Sequence, residues 1–200
     1  MEELRDEIKG NRKPEYDIDP IFVNRWSPRA MSGEALDEEE FMPLFEAARW
    51  APSSYNNQHW RFVYATRESE EWDDFLDLLG EANRVWAKDG AVLTVICSKK
   101  TFDHNGEPAQ THKFDTGAAW ENLALEGARR DLAVHGMQGF DYDKARDLLE
   151  VPEEFTIEAM FVVGKRADKE KLSEELQERE VPKGRKEMGE ILAEGSFEFE

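Results

Sequence analysis

Cysteine is nearly absent: Cys97 stands alone among 200 residues. That excludes an intramolecular disulfide and any iron–sulfur or zinc site built on several thiolates. Cys97 closes the apolar run Ala91-Val92-Leu93-Thr94-Val95-Ile96, which reads as a buried strand, so the thiol is expected to be inert packing. Apolar runs are short, and none approaches the ~20 residues of a membrane helix. The start, Met1-Glu2-Glu3-Leu4-Arg5-Asp6, lacks the basic and apolar regions of a secretion signal. The expectation is a soluble, cytoplasmic protein with no membrane partner. Positive charge is also scarce: 26 Lys and Arg face 45 Asp and Glu, a formal net charge of −19. A field of that sign repels nucleic acid and anionic lipid, so neither is expected as a partner.

Three catalytic signatures are missing as well. No Gly-x-Ser-x-Gly elbow of a serine hydrolase is present. No glycine-rich phosphate loop of the dinucleotide-binding or Walker kind is present either. The four histidines, His59, His104, His112 and His135, form no His-Glu-x-x-His pair and have no cysteine partners, so no metal site is expected.

What is present is enough apolar material for a core: 40% hydrophobic residues, with six tryptophans and twelve phenylalanines. A domain of this length buries roughly 70% of its unfolded surface. Residues 1–200 read as one domain without internal repeats. Residues 1–20, charged and punctuated by proline, form an N-terminal arm. From Asp168 onward charge rises, giving a tail over 168–200 expected to pack across a dimer. The acidic excess fits a protein adapted to high salt, whose stability rises with KCl into the molar range.

The periodicity alternates between helix and strand. Asp37 to Trp50 reads as a helix, with Asp37 and Glu40 spaced as a capping box and Phe41, Leu44, Phe45 and Ala48 on one face. Trp60 to Thr66 reads as a strand rich in aromatic and β-branched residues. Ser69 is placed to cap a helix carrying Trp72, Phe75, Leu76 and Leu79. Ala91 to Ser98 is a second strand, followed by a polar loop from Lys99 to Thr111. A long helix is expected from Lys113 to about Val134. Asp141 then caps a short helix through Glu150, and Ile157 to Gly164 is a further strand. The alternation implies α+β architecture, a mixed and mainly antiparallel sheet flanked by helices.

Two stretches carry chemistry. Arg25-Trp26-Ser27-Pro28-Arg29 sets two guanidiniums four residues apart with a hydroxyl between them, a group able to grip a phosphate through charge-assisted hydrogen bonds. Trp50-Ala51-Pro52-Ser53-Ser54-Tyr55-Asn56-Asn57-Gln58-His59-Trp60-Arg61-Phe62 places amides and hydroxyls in a proline-stiffened loop, suited to the edge of a flat heteroaromatic ring. Together they resemble the nitroreductase family of FMN-dependent oxidoreductases. That family combines an Arg-x-Ser-x-Arg motif with a helix ending in Ala-Pro-Ser-Ser-x-Asn-x-Gln-Pro-Trp-Arg-Phe. Lys113-Phe114-Asp115-Thr116-Gly117-Ala118-Ala119 resembles the start of its central helix, and Gly139-Phe140-Asp141 its segment near the flavin. The ordered matches span Arg25 to Arg166. His59 replaces the usual proline, Trp26 a basic residue, and Gly136 and Gln138 also depart from the pattern.

The resemblance implies a nitroreductase-like fold with a long central helix, and an intertwined homodimer with FMN at the subunit interface. It implies that Arg25, Trp26, Ser27 and Arg29 hold the FMN phosphate end, reinforced by Lys165 and Arg166. Pro52, Ser53, Ser54, Asn56 and Gln58 would line the isoalloxazine. A turn at His135, Gly136 and Met137 would approach its far edge, where Gly136 allows close backbone approach and His135 could donate a proton. NAD(P)H would supply hydride and a nitroaromatic or quinone-like acceptor would remove it, in a ping-pong cycle in which the flavin carries the chemistry. Within the same resemblance stand reductive dehalogenation and heterocycle oxidation. A non-catalytic flavin-binding or interaction protein is the reading from another class.

Overall fold

A strand can be apolar on every residue only when both faces of its sheet are covered. Val92–Lys99 meets that condition, with every residue from Val92 to Ser98 buried. The structure, a computed structural model, describes residues 3–199. In chain order its elements are α1 (Asp6–Lys9), α2 (Pro20–Asn24), α3 (Glu38–Arg49), β1 (Trp60–Thr66), α4 (Trp72–Leu76), α5 (Glu81–Ala87), β2 (Val92–Lys99), α6 (His112–Arg129), β3 (Leu132–Met137), α7 (Tyr142–Leu148), β4 (Phe155–Lys165) and α8 (Glu174–Arg179). The strands form one antiparallel sheet in the order β1-β2-β4-β3. This is the expected α+β fold, with α6 as its longest helix.

Successive strand side chains point to opposite faces. β2 therefore sends Val92 and Ile96 to one side and Leu93, Val95 and Cys97 to the other. On the first face, α3 and α6 bury Phe41, Leu44, Ala48, Ala119 and Leu123 against Val134, Phe161 and Val163. On the second, α4 and α5 bring Trp72, Phe75, Leu76 and Trp86 onto Leu93, Val95, Met160 and Val162. Burial, with the charge of Glu158 adding to it, pushes the Cys97 thiol up to about 11, so it is inert. The capping box of α3 forms as read, the Glu40 carboxylate accepting the Asp37 N–H at 2.9 Å. Such a cap stabilises a helix by about 1 kcal/mol.

Some local expectations need correction. The long helix stops at Arg129, well before Val134. Asp131 takes a left-handed φ of 61°, and the chain reverses into β3, paired with β4 from Leu132↔Lys165 to Met137↔Met160. Gly127 permits that reversal, since a Cβ there would stand 2.4 Å from Val134 Cγ2. His135, Gly136 and Met137 therefore lie in a strand, not a turn. The Ser69 hydroxyl makes no hydrogen bond and caps nothing; its carbonyl accepts the Trp72 N–H at 3.3 Å instead. Leu79 falls beyond α4 and bridges to Phe140.

The arm is pinned by Ile8, which is fully buried, and the tail by Leu172 and Glu180. Among the described residues no helix is long and apolar enough to cross a membrane, and no three His, Cys, Asp or Glu side chains cluster to hold a metal.

Candidate functional site

Asp19 and Pro20 start α2, the Asp19 carboxylate accepting the Ile21 N–H at 2.9 Å. The helix ends when Arg25 turns extended, with ψ at 122°. The Arg25 side chain, 13% exposed, donates to Ser27 Oγ at 3.3 Å and lies 3.6 Å from Glu121 of α6. Two further guanidiniums join it from the ends of the chain. Arg12 donates to the carbonyls of Val23 (2.6 Å), Arg25 (2.7 Å) and Lys183 (2.8 Å). Arg185 lies close enough for its charge to act on both Arg12 and Arg25. Burial, and then the like charges of Arg185 and Arg25, push Arg12 down to about 10. Burial also lowers Arg25, against the pull of Glu121. Arg12 remains charged at neutral pH while its bonds among the described residues go to carbonyls. Two partly desolvated cations with the exposed Arg185 close by suit a dianion.

The other basic residues expected here turn elsewhere. Arg29 runs over the Trp86 ring at 5.8 Å and stands 3.7 Å from Glu180. Lys165 faces Glu34 and Glu40 at 3.5 and 3.6 Å. Arg166 bonds Glu7 at 2.6 Å and stacks on Trp26, whose indole N–H also donates to Glu7 at 3.2 Å. Each of these charges is answered by a carboxylate within the chain.

The loop after α3 is held at the N-terminal end of α6. Ser54 N–H donates to Asp115 at 3.0 Å, and Ser53 Oγ accepts the Gln58 N–H at 3.0 Å. Tyr55, Asn56 and Gln58 all adopt positive φ, at 52°, 53° and 51°. Left-handed backbone at non-glycine residues costs on the order of 1 kcal/mol each, a strain that marks the loop as built for a purpose. Pro52 and Asn56 are exposed. His59, standing where proline was expected, is fully buried, with Nδ1 2.9 Å from the Lys99 carbonyl and Nε2 3.7 Å from Asp115. Tyr55 and Phe114 present exposed rings around this end of α6, and Trp50 presents one at the end of α3.

A cleft of about 400 Å³ opens on the α6 face of the sheet, lined by Thr116, Gly117 and Trp120 of α6, by Gly136, Met137 and Gln138, and by Lys113 and Glu158 at its rim. Its volume and largely apolar lining match a small-molecule site. Gly136 is needed there: a Cβ would lie 3.1 Å from the Trp120 ring. Trp120 lines the cleft and its neighbour Glu121 meets Arg25, so the cationic group and the cleft sit at adjacent positions of α6. Pro52, Ser53, Ser54, Asn56 and Gln58 of the same chain stand apart from that lining.

His135 points away from the cleft. Its ring packs 4.6 Å from Trp86 on the opposite face, and Nδ1 lies 3.1 Å from the Pro28 carbonyl. Burial pushes it down to about 4, against the hydrogen bond to Pro28. It is neutral at pH 7 and is no proton donor to the cleft. An unfolded imidazole titrates near ~6.5, so between that pH and about 4 the unfolded chain binds more protons. Stability is therefore lost as pH falls through this window. The loss from this group between pH 7 and pH 5 should be about 2 kcal/mol. Urea unfolding of His135→Leu at the two pH values should show that much less pH dependence than the parent; equal dependence would refute the assignment.

Arg12 and Arg185 escape the sequence reading because the arm and tail look like solvated ends. The available signal was the basic run Lys183-Gly184-Arg185-Lys186 in an otherwise acidic chain.

With this geometry in view, comparison with known proteins is informative. A model described as the nitroreductase family matches residues 23–93 and 78–165. A crystal structure of an oxidoreductase containing FMN superposes with a TM-score of 0.91 at 42% identity, covering 94% of this chain and 97% of that one. A nitroreductase-like protein in complex with FMN from Desulfovibrio desulfuricans shares the fold at TM-score 0.67 and 22% identity, covering 91% and 100%. Protein DrgA of Synechocystis sp. is 25% identical over 177 residues, 76% of this chain and 84% of its own length.

Proposed function

This chain belongs to the nitroreductase family, and on that premise we propose that it is an FMN-dependent oxidoreductase. It takes hydride from NAD(P)H and reduces nitroaromatic or quinone-like acceptors in a ping-pong cycle. The carrying observation is the partly desolvated pair of Arg12 and Arg25, with the exposed Arg185 close by, and an apolar cleft at the neighbouring position of α6. A ribityl phosphate needs the first and a tricyclic ring the second, so the residues fit the group. Arg25, Ser27, Arg12 and Arg185 would hold the phosphate, and the backbone from Gly136 to Gln138 with the wall of α6 would hold the ring. Trp26, Arg29, Lys165 and Arg166 shape this end through their carboxylate partners. When bound, FMN supplies two-electron hydride exchange.

The loop Pro52, Ser53, Ser54, Asn56 and Gln58 fits the ring edge when offered by a second copy, which would also cover Trp50, Tyr55 and Phe114. The working unit is then a homodimer, migrating at twice 23.2 kDa. The acidic surface suits a concentrated-salt cytoplasm.

The purified protein should be yellow, bleach anaerobically with NADH or NADPH, and regain colour with a quinone or nitro compound. A colourless protein that takes up no FMN would overturn the reading. A yellow protein that neither nicotinamide bleaches would shift it to another flavin reaction or to flavin binding alone.

A further inference from the structure

Glu158 is the extra residue of a β-bulge. Pairing between β2 and β4 passes from Ile96↔Ala159 to Cys97↔Ile157, leaving Glu158 with no opposite number. A bulge re-aims a side chain out of regular alternation. Here it places a Glu158 oxygen 2.5 Å from Ser98 Oγ while the residue also lines the cleft. Ser98, at 0% exposure, lies with the same Oγ 2.7 Å from His112 Nδ1. A carboxylate only accepts hydrogen bonds and a hydroxyl has one proton to give. Ser98 therefore donates to Glu158, and His112 Nδ1–H donates to Ser98. Serine, not histidine, is the middle member, and it is sealed inside a strand, so this is no nucleophile of the hydrolase kind.

We propose that His112, Ser98 and Glu158 form a proton relay from solvent to an acceptor bound in the cleft, with Glu158 as the group that hands the proton over. The proposal rests on the reading that this cleft reduces acceptors. Quinone reduction consumes NAD(P)H, one proton and the quinone, and yields NAD(P)+ and hydroquinone. The hydride equivalent comes from the nicotinamide, and the proton comes through the relay. A solvent proton adds at His112 Nε2, the Nδ1 proton passes to Ser98 Oγ, and the Ser98 hydroxyl proton passes to Glu158. One proton enters and one leaves, and the starting tautomer returns when the imidazole turns Nδ1 to solvent, gains a proton there and loses the one on Nε2. Reduction of a nitro group to nitroso with loss of water likewise takes one hydride from the nicotinamide and one proton by the same route.

The surroundings suit a transit path better than a resting place. Lys113 of α6 stands 3.8 Å from the second Glu158 oxygen, and the Tyr142 hydroxyl of α7 lies 3.5 Å from the Glu158 carbonyl. Burial lowers His112, Glu158 opposes that shift, and Lys113, His59 and Lys100 add to it, so the imidazole is held neutral and a proton that reaches it is not retained.

Ser98→Ala removes both hydrogen bonds while keeping the Cβ. In the ¹⁵N-labelled full-length protein without FMN, imidazole NMR should show His112 as the Nδ1–H tautomer. Ser98→Ala should convert it mainly to Nε2–H, and Glu158→Gln should lower the pH at which it titrates. In the flavin-loaded protein, the ratio of reoxidation rate by a quinone to bleaching rate by the nicotinamide should fall about 10- to 100-fold in both variants, the scale of a lost general acid. Glu158→Asp should restore part of it. Should Ser98→Ala not fold, Glu158→Gln at the half-exposed rim carries the test. An unchanged tautomer, or an unchanged ratio in protein that bleaches normally, overturns the relay alone. Parent protein that no nicotinamide bleaches overturns the functional reading, and the relay with it.

Discussion

Arg25→Ala should weaken FMN binding about a hundredfold, roughly 3 kcal/mol. The magnitude follows from burial. Arg25 has given up most of its water and, among the described residues, meets one carboxylate, at 3.6 Å, so an arriving phosphate gains strongly from it. Removing one partner of a buried, hydrogen-bonded charge pair costs about 2–5 kcal/mol. Arg25→Lys keeps the charge but loses the fork, and should recover only part of the loss. Fluorescence titration of flavin-free protein with FMN measures the effect, and riboflavin, which has no phosphate, serves as the control. Parent-like FMN affinity in Arg25→Ala, or an equal loss for riboflavin, would remove the phosphate from this corner.

Glu180→Ala should cost about 3–5 kcal/mol of stability. Glu180 is 7% exposed. One of its oxygens accepts the backbone N–H of Arg29 at 2.6 Å and of Ala30 at 2.9 Å, while the other stands 3.7 Å from the Arg29 guanidinium. Deleting the carboxylate strands two N–H groups and a cation in one stroke. It also frees the segment leading to Lys183 and Arg185, so FMN affinity should fall together with stability. Glu180→Gln retains an acceptor for the two N–H groups and should lose less. A urea midpoint within the equivalent of about 1 kcal/mol of the parent would show that the tail is not anchored there.

How much of this was legible depended on how local each signal was. The Asp37–Glu40 cap, the strand from Trp60 to Thr66 and the helical face of Phe41, Leu44 and Ala48 are set by neighbours within a few residues, and they read cleanly. The end of α6 did not. Leu132, Ala133 and Val134 extend a helical pattern without a break, and only the left-handed Asp131 and the packing of Val134 on Gly127 turn them into a strand. That single reversal also moved His135 to the far face. The cationic trio was hidden because its members come from the arm, the segment after α2 and the tail. No pattern in a linear sequence announces that residues from opposite ends will meet. The Ser98–His112–Glu158 chain was hidden for a different reason, since it depends on one residue being squeezed out of register.

Arg12 holds three carbonyls, one of them in the tail, and its neighbours repel it. A ligand that binds only the folded chain stabilises it by mass action. A phosphate settling among those guanidiniums would thus add to a fastening that Arg12 already makes between the arm and the tail. Resistance to heat should then rise as FMN is added, and less so with riboflavin, which brings no phosphate to join the two ends.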